Sequence, residues 1–347
     1  MRETVDKSPS NYRIQLELVK LLVERADTVQ KLGDSATPNH LRMRDLYHQE
    51  AFKRLKKMSS TGPSPSTDAQ FLLAEAYGQG LLGLRKDVDR AFALYSQAAR
   101  GNHPTACYRT AVCYEVGAGT RRDFSKAAQF YRKAASQSET AAMHKLGVTL
   151  LYGLMNQPKN VREGINWLKK AGSKADETTP HALYELAILH EGGVGDSQIL
   201  PVSPAAYAYS LYLQAARLGH VRSQVRLGRC FEHELLGCPK DPRKSIAWYS
   251  EAASHGDMEA EMALAAWYLA GAPGVLIQSD EEAFKWASKS ADKGYAKAEY
   301  AMGHFFQHGI GTQADPNQAR TWYQKAAKNG NKKAIQKLQE LGIKSPK

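Results

Sequence analysis

The sequence predicts an all-α fold: a right-handed α-solenoid of about seven helix-turn-helix repeats behind an N-terminal helical cap. Two observations predict it. First, an apolar helix face returns seven times, anchored at Ala69, Ala106, Ala142, Ala182, Ser223, Ala260 and Ala298, at spacings of 36 to 41 residues. Large apolar or small side chains follow each anchor at offsets four, five and eight, which lie on one side of a helix. Second, each copy is followed by another helical phrase, written "SIAWYSEAASHGD" at 245–257 and "ARTWYQKAAKNGN" at 319–331. Helix pairs this short cannot bury an apolar face alone, so neighbouring pairs must stack.

The elements follow in order. Residues 1–10 are expected to be disordered. Residues 11–58, with "NYRIQLELVKLLVERADTV" and "LRMRDLYHQEAFKRLKKM", read as capping helices, and "SSTGPSPST" at 59–67 as a linker. The repeats are placed at 68–104, 105–139, 140–180, 181–221, 222–258, 259–296 and 297–338, with a basic tail at 339–347. Second helices start at Ala91, Ala127, Gly164, Ala208, Ser245, Ala283 and Ala319. Asp87, Asp123, Asn160, Asp241 and Asp315 lie four residues earlier, where a side-chain oxygen can accept from the free amides of the first turn. Pro242 and Pro316 fit the first helical position. Gly219, Gly256, Gly294 and Gly330 are expected to end helices in the left-handed region. Small pairs such as Ala98-Ala99 and Ala252-Ala253 mark a close seam between helices, and Trp248 and Tyr249 read as core. Gly147, Gly228 and Gly303 fall inside first helices, where glycine costs about 1 kcal/mol against alanine. The tightest helix crossings should explain them.

Composition narrows the function. The chain has 347 residues and a net charge of +12. Residues 1–67 carry 12 basic and 8 acidic side chains, residues 68–313 carry 27 and 25, and residues 314–347 carry 8 and 2. The excess therefore belongs to the ends, which suits an anionic lipid surface or an acidic partner. The tail has no aromatic residues of the kind that stack on bases, which argues against nucleic acid. No run is apolar enough for a membrane helix, and the start has no secretory signal pattern. Cys107, Cys113, Cys230 and Cys238 lack disulfide-framework or zinc-knuckle spacing and read as structural thiols of a reducing compartment.

The tandem of "A…LG…Y…G" and "D…A…WY.KAA..G" over residues 68–338 resembles the Sel1-like repeat, a relative of the tetratricopeptide repeat. The wording of "DAQFLLAEAYGQGLLGL", "YRTAVCYEVGAGTRRD", "GCPKDPRKSIAWYSEAA" and "KAEYAMGHFFQHGIGTQAD" is similar to the fungal chitin synthase activator family. That resemblance implies a non-enzymatic adaptor that binds a multipass chitin synthase on its cytoplasmic side. It would activate or place the enzyme at the bud neck, septum or growing tip, in contact there with septum scaffold proteins. Members often end in a prenylation box, and "SPK" has no such cysteine. Either the sequence stops short of such a box, or the route to the membrane is the partner and the basic ends; the expected location is cytoplasmic and peripheral. The alternative is a general septum or polarity scaffold that links kinases and cytoskeleton without touching a synthase.

No catalytic, metal or cofactor site is expected. His304 and His308 have zinc-like spacing but no third ligand, and His190 occupies a core slot. "GVGDS" and "GAGTRRD" lack the lysine of a phosphate loop. Offsets three and six from the anchors should point off the core, and there the chain places Arg109, Val112, Lys145, Val148, Glu185, Ile188, Arg226 and Arg229. We take these as the candidate partner-binding residues. The apolar side chains would supply area and the cations would fix register on an acidic segment.

Overall fold

A computed structural model describes residues 11–60, 65–192 and 204–342. The expected disorder of residues 1–10, most of the loop "GVGDSQILPVSPAA" and the end of the tail lie outside them. Among the described residues there are seventeen α-helices, and the chain divides into two compact units, Met1–Lys174 and Ala175–Lys347. The first unit holds α1 (Tyr12–Gln30), α2 (Pro38–Ser60), α3 (Thr67–Gln79), α4 (Val88–Arg100), α5 (Pro104–Val116), α6 (Phe124–Ser136), α7 (Thr140–Tyr152) and α8 (Val161–Gly172). The second holds α9 (His181–Glu191), α10 (Pro204–Arg217), α11 (Val221–His233), α12 (Pro242–Ser254), α13 (Met258–Ala270), α14 (Asp280–Asp292), α15 (Ala296–His308), α16 (Pro316–Lys328) and α17 (Lys332–Glu340). Each unit is a stack of antiparallel helix pairs, and α1 with α2 makes a further pair ahead of the first repeat.

The caps form as expected. Asp87, Asp123, Asn160 and Asp241 each accept from the amide three residues on, at 2.9 to 3.1 Å, and Asp315 accepts from Asn317 and Gln318. Ser279 does the same for α14, which the sequence reading missed. Gly219, Gly256, Gly294 and Gly330 all have φ near +80°. Two boundaries differ from expectation. The linker at 59–67 begins later, because α2 runs through Ser60, where the Ser59 and Ser60 hydroxyls return to the Lys56 carbonyl. Likewise α17 continues past residue 338 to Glu340, with Leu338 fully buried beneath its last turn.

The interior glycines sit at tight crossings. A Cβ on Gly228 or Gly303 would lie 2.8 or 2.6 Å from a ring carbon of Tyr249 or Tyr323. A Cβ on Gly147 would lie 2.8 Å from the Leu168 Cγ. The seam is buried as predicted, Ala98 and Ala99 being fully enclosed in α4 and Ala252 and Ala253 nearly so in α12. Tyr249 is core, but Trp248 is only half-buried, its ring lying beside the Cys230, Phe231 and Cys238 cluster. The "GAGT" and "GIGT" turns have their own reason for glycine. A Cβ on Gly119 would fall 2.1 Å from the Val88 carbonyl oxygen of the preceding repeat, and one on Gly311 would fall 2.2 Å from that of Asp280.

Candidate partner-binding surface

All eight candidate residues lie on first helices and all are half-buried, neither core nor free surface. In the first unit Arg109 and Val112 lie on α5, and Lys145 and Val148 occupy the same offsets on α7. In the second unit Glu185 and Ile188 lie on α9, and Arg226 and Arg229 on α11. The four cations are already engaged. Arg109 Nε lies 2.9 Å from Glu75 and Lys145 Nζ 2.7 Å from Glu115, each carboxylate belonging to the repeat before. Arg226 Nε donates to Glu191 at 3.1 Å, again one repeat back, while Arg229 pairs forward with Glu259.

A tyrosine completes most of these bridges. The second-helix Tyr95 and Tyr131 hydroxyls donate to Glu75 and Glu115 at 2.7 and 2.6 Å. Tyr212 donates to Glu191 at 2.7 Å. Each carboxylate thus joins three helices: it sits on one, accepts from the partner helix of its own repeat, and holds the cation of the next. Tyr249 donates to Glu232 at 2.7 Å without that last link, and Tyr323 donates to the uncharged Gln307 at 2.8 Å. Burial and then the carboxylate bond push the Tyr95, Tyr131 and Tyr249 hydroxyls far above the usual phenol range, while burial and the neighbouring Tyr300 push Tyr323 to about 12. These hydroxyls stay protonated donors at any physiological pH.

The cations keep part of their surface open, side-chain exposure being 42% for Arg109, 36% for Lys145, 43% for Arg229 and 19% for Arg226. They can accept a second anion only while still bonded to the first. Glu185 has its carboxyl raised by burial, with Arg222 opposing the shift. It is the member of the set least ready to carry charge. Nothing in this arrangement aligns a nucleophile with a base.

Other candidate groups also settle into packing. His190 is buried edge-on against Tyr207. The His304 and His308 rings are 4.5 Å apart, and burial together with His308 holds the His304 pKa down. Among the described residues no three His, Cys, Asp or Glu side chains could hold a metal ion, and no helix is long and apolar enough to cross a membrane. The four thiols are free, three of them buried, and burial raises Cys230 to about 11.

Sequence reasoning found the cations but missed their carboxylates. The signal was present: an acid or amide stands nine residues after the anchor at Glu115, Glu191, Glu232 and Gln307, and a tyrosine four residues into the facing second helix. Only Glu75 reaches the same place from offset six.

Comparison with known proteins agrees with this architecture. The Sel1 repeat model matches residues 67–103, 104–139, 140–176, 180–220, 221–257, 259–295 and 296–331. The chain is 38% identical to chitin synthase regulatory factor 3 of Schizosaccharomyces pombe, over 95% of its own length and 36% of that protein. It is 36% identical to the chitin synthase regulator SKT5 of Saccharomyces cerevisiae, over 97% of its length and 49% of that protein. It is also 34% identical to the Saccharomyces cerevisiae activator of C kinase protein 1, over 90% of its length and 54% of the relative. The chain thus spans about half the length of these relatives or less. Among solved structures, the Escherichia coli antigen c5321 superposes with a TM-score of 0.69 at 21% identity, over 99% of this chain and 75% of that one. Seven matched repeats and extended similarity to two regulators lead to one conclusion: the chain belongs to the Sel1 repeat family, as a relative of the fungal chitin synthase regulators.

Proposed function

We propose that the chain is a non-enzymatic adaptor that binds a chitin synthase on its cytoplasmic side and regulates it by protein contact. The observation that carries this reading is similarity to two chitin synthase regulators along nearly the whole chain. The first-helix faces fit such a role. Half-exposed cations, each pinned by an internal carboxylate, offer anchors that need little further ordering when an acidic segment docks. Such a protein acts by differential affinity: it favours whichever state or location of the synthase it binds more tightly. Peripheral placement at the plasma membrane would follow from the partner and from the basic ends.

The test is co-purification of the chain with full-length chitin synthase from detergent-solubilised membranes, alongside sugar-nucleotide turnover by the isolated chain. The proposal expects a complex and no turnover. Absence of a complex, or turnover by the chain alone, overturns it.

A second reading rests on the similarity to the activator of C kinase protein 1. In it the chain is a scaffold that joins signalling kinases at the septum without touching a synthase. Proximity labelling that recovered kinases and no synthase would favour this alternative.

A further inference from the structure

The first unit contains a channel that the candidate residues above do not use. It runs along α1 and α3, with α2 as a further wall of its second half, as two cavities of about 890 and 880 Å³ that share Lys20 and Leu72 as lining. Together they follow α3 from Thr67 to beyond Gln79. Thirteen helical residues span about 20 Å, the reach of about six residues of extended chain.

The two ends differ in charge. In the first cavity the charges largely cancel, since Lys20 pairs with Glu17 at 2.9 Å and the cavity holds one further cation, Arg13, and one further acid, Asp68. Tyr12, Leu16 and Phe71 give that end aromatic and aliphatic walls, with exposed Arg13 at its rim. In the second cavity the floor is Val19, Val23 and Leu72, with Leu81 48% exposed beside it. Asp45 is paired with Arg44, and Glu75 is held by Tyr95 and Arg109. Glu24 and Asp27 remain: both are exposed and line the cavity, and neither carboxylate has a hydrogen bond or ion pair among the described residues, though His48 in the same lining feels the Asp27 charge. An apolar floor beside two unmatched carboxylates is complementary to a segment that carries both kinds of group.

We propose that this channel binds a short peptide segment of a partner protein, aliphatic where it meets Phe71 and Leu72 and carrying lysine or arginine where it meets Glu24 and Asp27. The contrast between an apolar end and an acidic end fixes the direction of the segment. The inference rests on the adaptor reading and adds a cationic recognition element distinct from the acidic one expected at Arg109 and Lys145. Its occupant is a protein segment rather than a lipid, because phosphate headgroups would be repelled by the two free acids.

The probe is a fluorescein-labelled peptide of alternating leucine and arginine, titrated against the full chain by anisotropy, with a leucine–glutamate peptide for comparison. The paired variant Glu24→Lys with Asp27→Lys changes only exposed side chains. A second pair, Glu281→Lys with Asp292→Lys on exposed sites of α14, matches its change in net charge. The proposal expects the arginine peptide to bind the natural chain, to bind the first variant at least about tenfold more weakly, and to bind the second like the natural chain at equal salt. Equal loss in both variants, unchanged binding in the first, preference for the glutamate peptide, or no binding at all would overturn it. So would sedimentation showing that the natural chain self-associates and the first variant does not, because the occupant would then be a second copy. A negative result here combined with an intact synthase complex would remove the channel and leave the adaptor reading standing.

Discussion

Repeats three and seven both place glycine in the first helix, at Gly147 and Gly303, but repeat three adds a second one on the facing helix, Gly164, where repeat seven has Ala319. In repeat three two backbones meet: a Cβ on Gly164 of α8 would lie 2.8 Å from the Gly147 carbonyl oxygen and 2.9 Å from the Leu151 amide nitrogen of α7. In repeat seven Gly303 of α15 makes room for the ring of Tyr323, a buried side chain that would have to shift. The nearest atoms at Gly164 are all backbone, whereas those at Gly303 belong to a side chain. Glycine facing backbone and glycine facing a ring therefore carry different energetic weight.

The largest expected effect comes from Gly164→Ala, which can be relieved only by parting α7 from α8 and should cost about 3 kcal/mol in urea unfolding. Gly303→Ala should cost less, because a ring can shift more readily than two helix backbones can part, the gain in helix propensity of about 1 kcal/mol being common to both sites. Equal losses at the two sites would show that the crossings are equally rigid.

The next comparison is between repeats that have the tyrosine bridge and those that lack it. Repeat two joins Tyr131, Glu115 and Lys145, whereas the corresponding second-helix position holds Leu168 in repeat three and Ala287 in repeat six. Tyr131→Phe leaves the Glu115 carboxylate one donor short and should cost about 1.5 kcal/mol. Tyr323→Phe, whose acceptor is the neutral Gln307, should cost less, and the difference between the two measures what the ionised acceptor adds. At the helix ends, Asp315→Ala removes an oxygen that satisfies two amides and should cost about 1 kcal/mol.

The smallest effect is a pH dependence at the start of α5. The His103 Nδ1 accepts from the Ala106 amide at 3.1 Å, and burial lowers the ring's pKa below 6.5, against the pull of Asp68. A folded-state value below the unfolded one means that the unfolded chain binds the proton more readily. Stability is then complete above the unfolded value and is lost as pH falls through 6.5 toward the folded pKa. Urea midpoints at about pH 7.5 and about pH 5.5 should diverge in the natural chain and converge in His103→Asn, which caps without titrating.

The repeats were legible because helix spacing, capping acids and stop glycines are local signals, and each was written several times. Gly147, Gly228 and Gly303 announced close crossings for the same reason, since nothing else excuses glycine there. The bridges were not legible from the candidate residues alone. Arg109 and Lys145 looked like free surface cations because their carboxylates lie 30 to 34 residues earlier, on the preceding first helix. The channel between α1 and α3 was hidden for a related reason: the capping hairpin lacks the repeat signature, so no register linked Glu24 and Asp27 to Leu72.

The central claim is that the first-helix cations serve an internal bridge and an external partner at once, and one charge swap separates the two. Lys145→Glu combined with Glu115→Lys keeps an ion pair and reverses the sign of the half-exposed group on α7, and Tyr131→Phe in both chains removes the hydroxyl whose bond a lysine could not accept. Affinity for the immobilised cytoplasmic segments of a chitin synthase, measured on chains shown to melt within about 0.5 kcal/mol of each other, reads only the external role. The account predicts that the chain with the natural charges binds and that the swapped chain binds at least about tenfold more weakly. Equal affinity of the two chains, or no binding by the one with the natural charges, would contradict it.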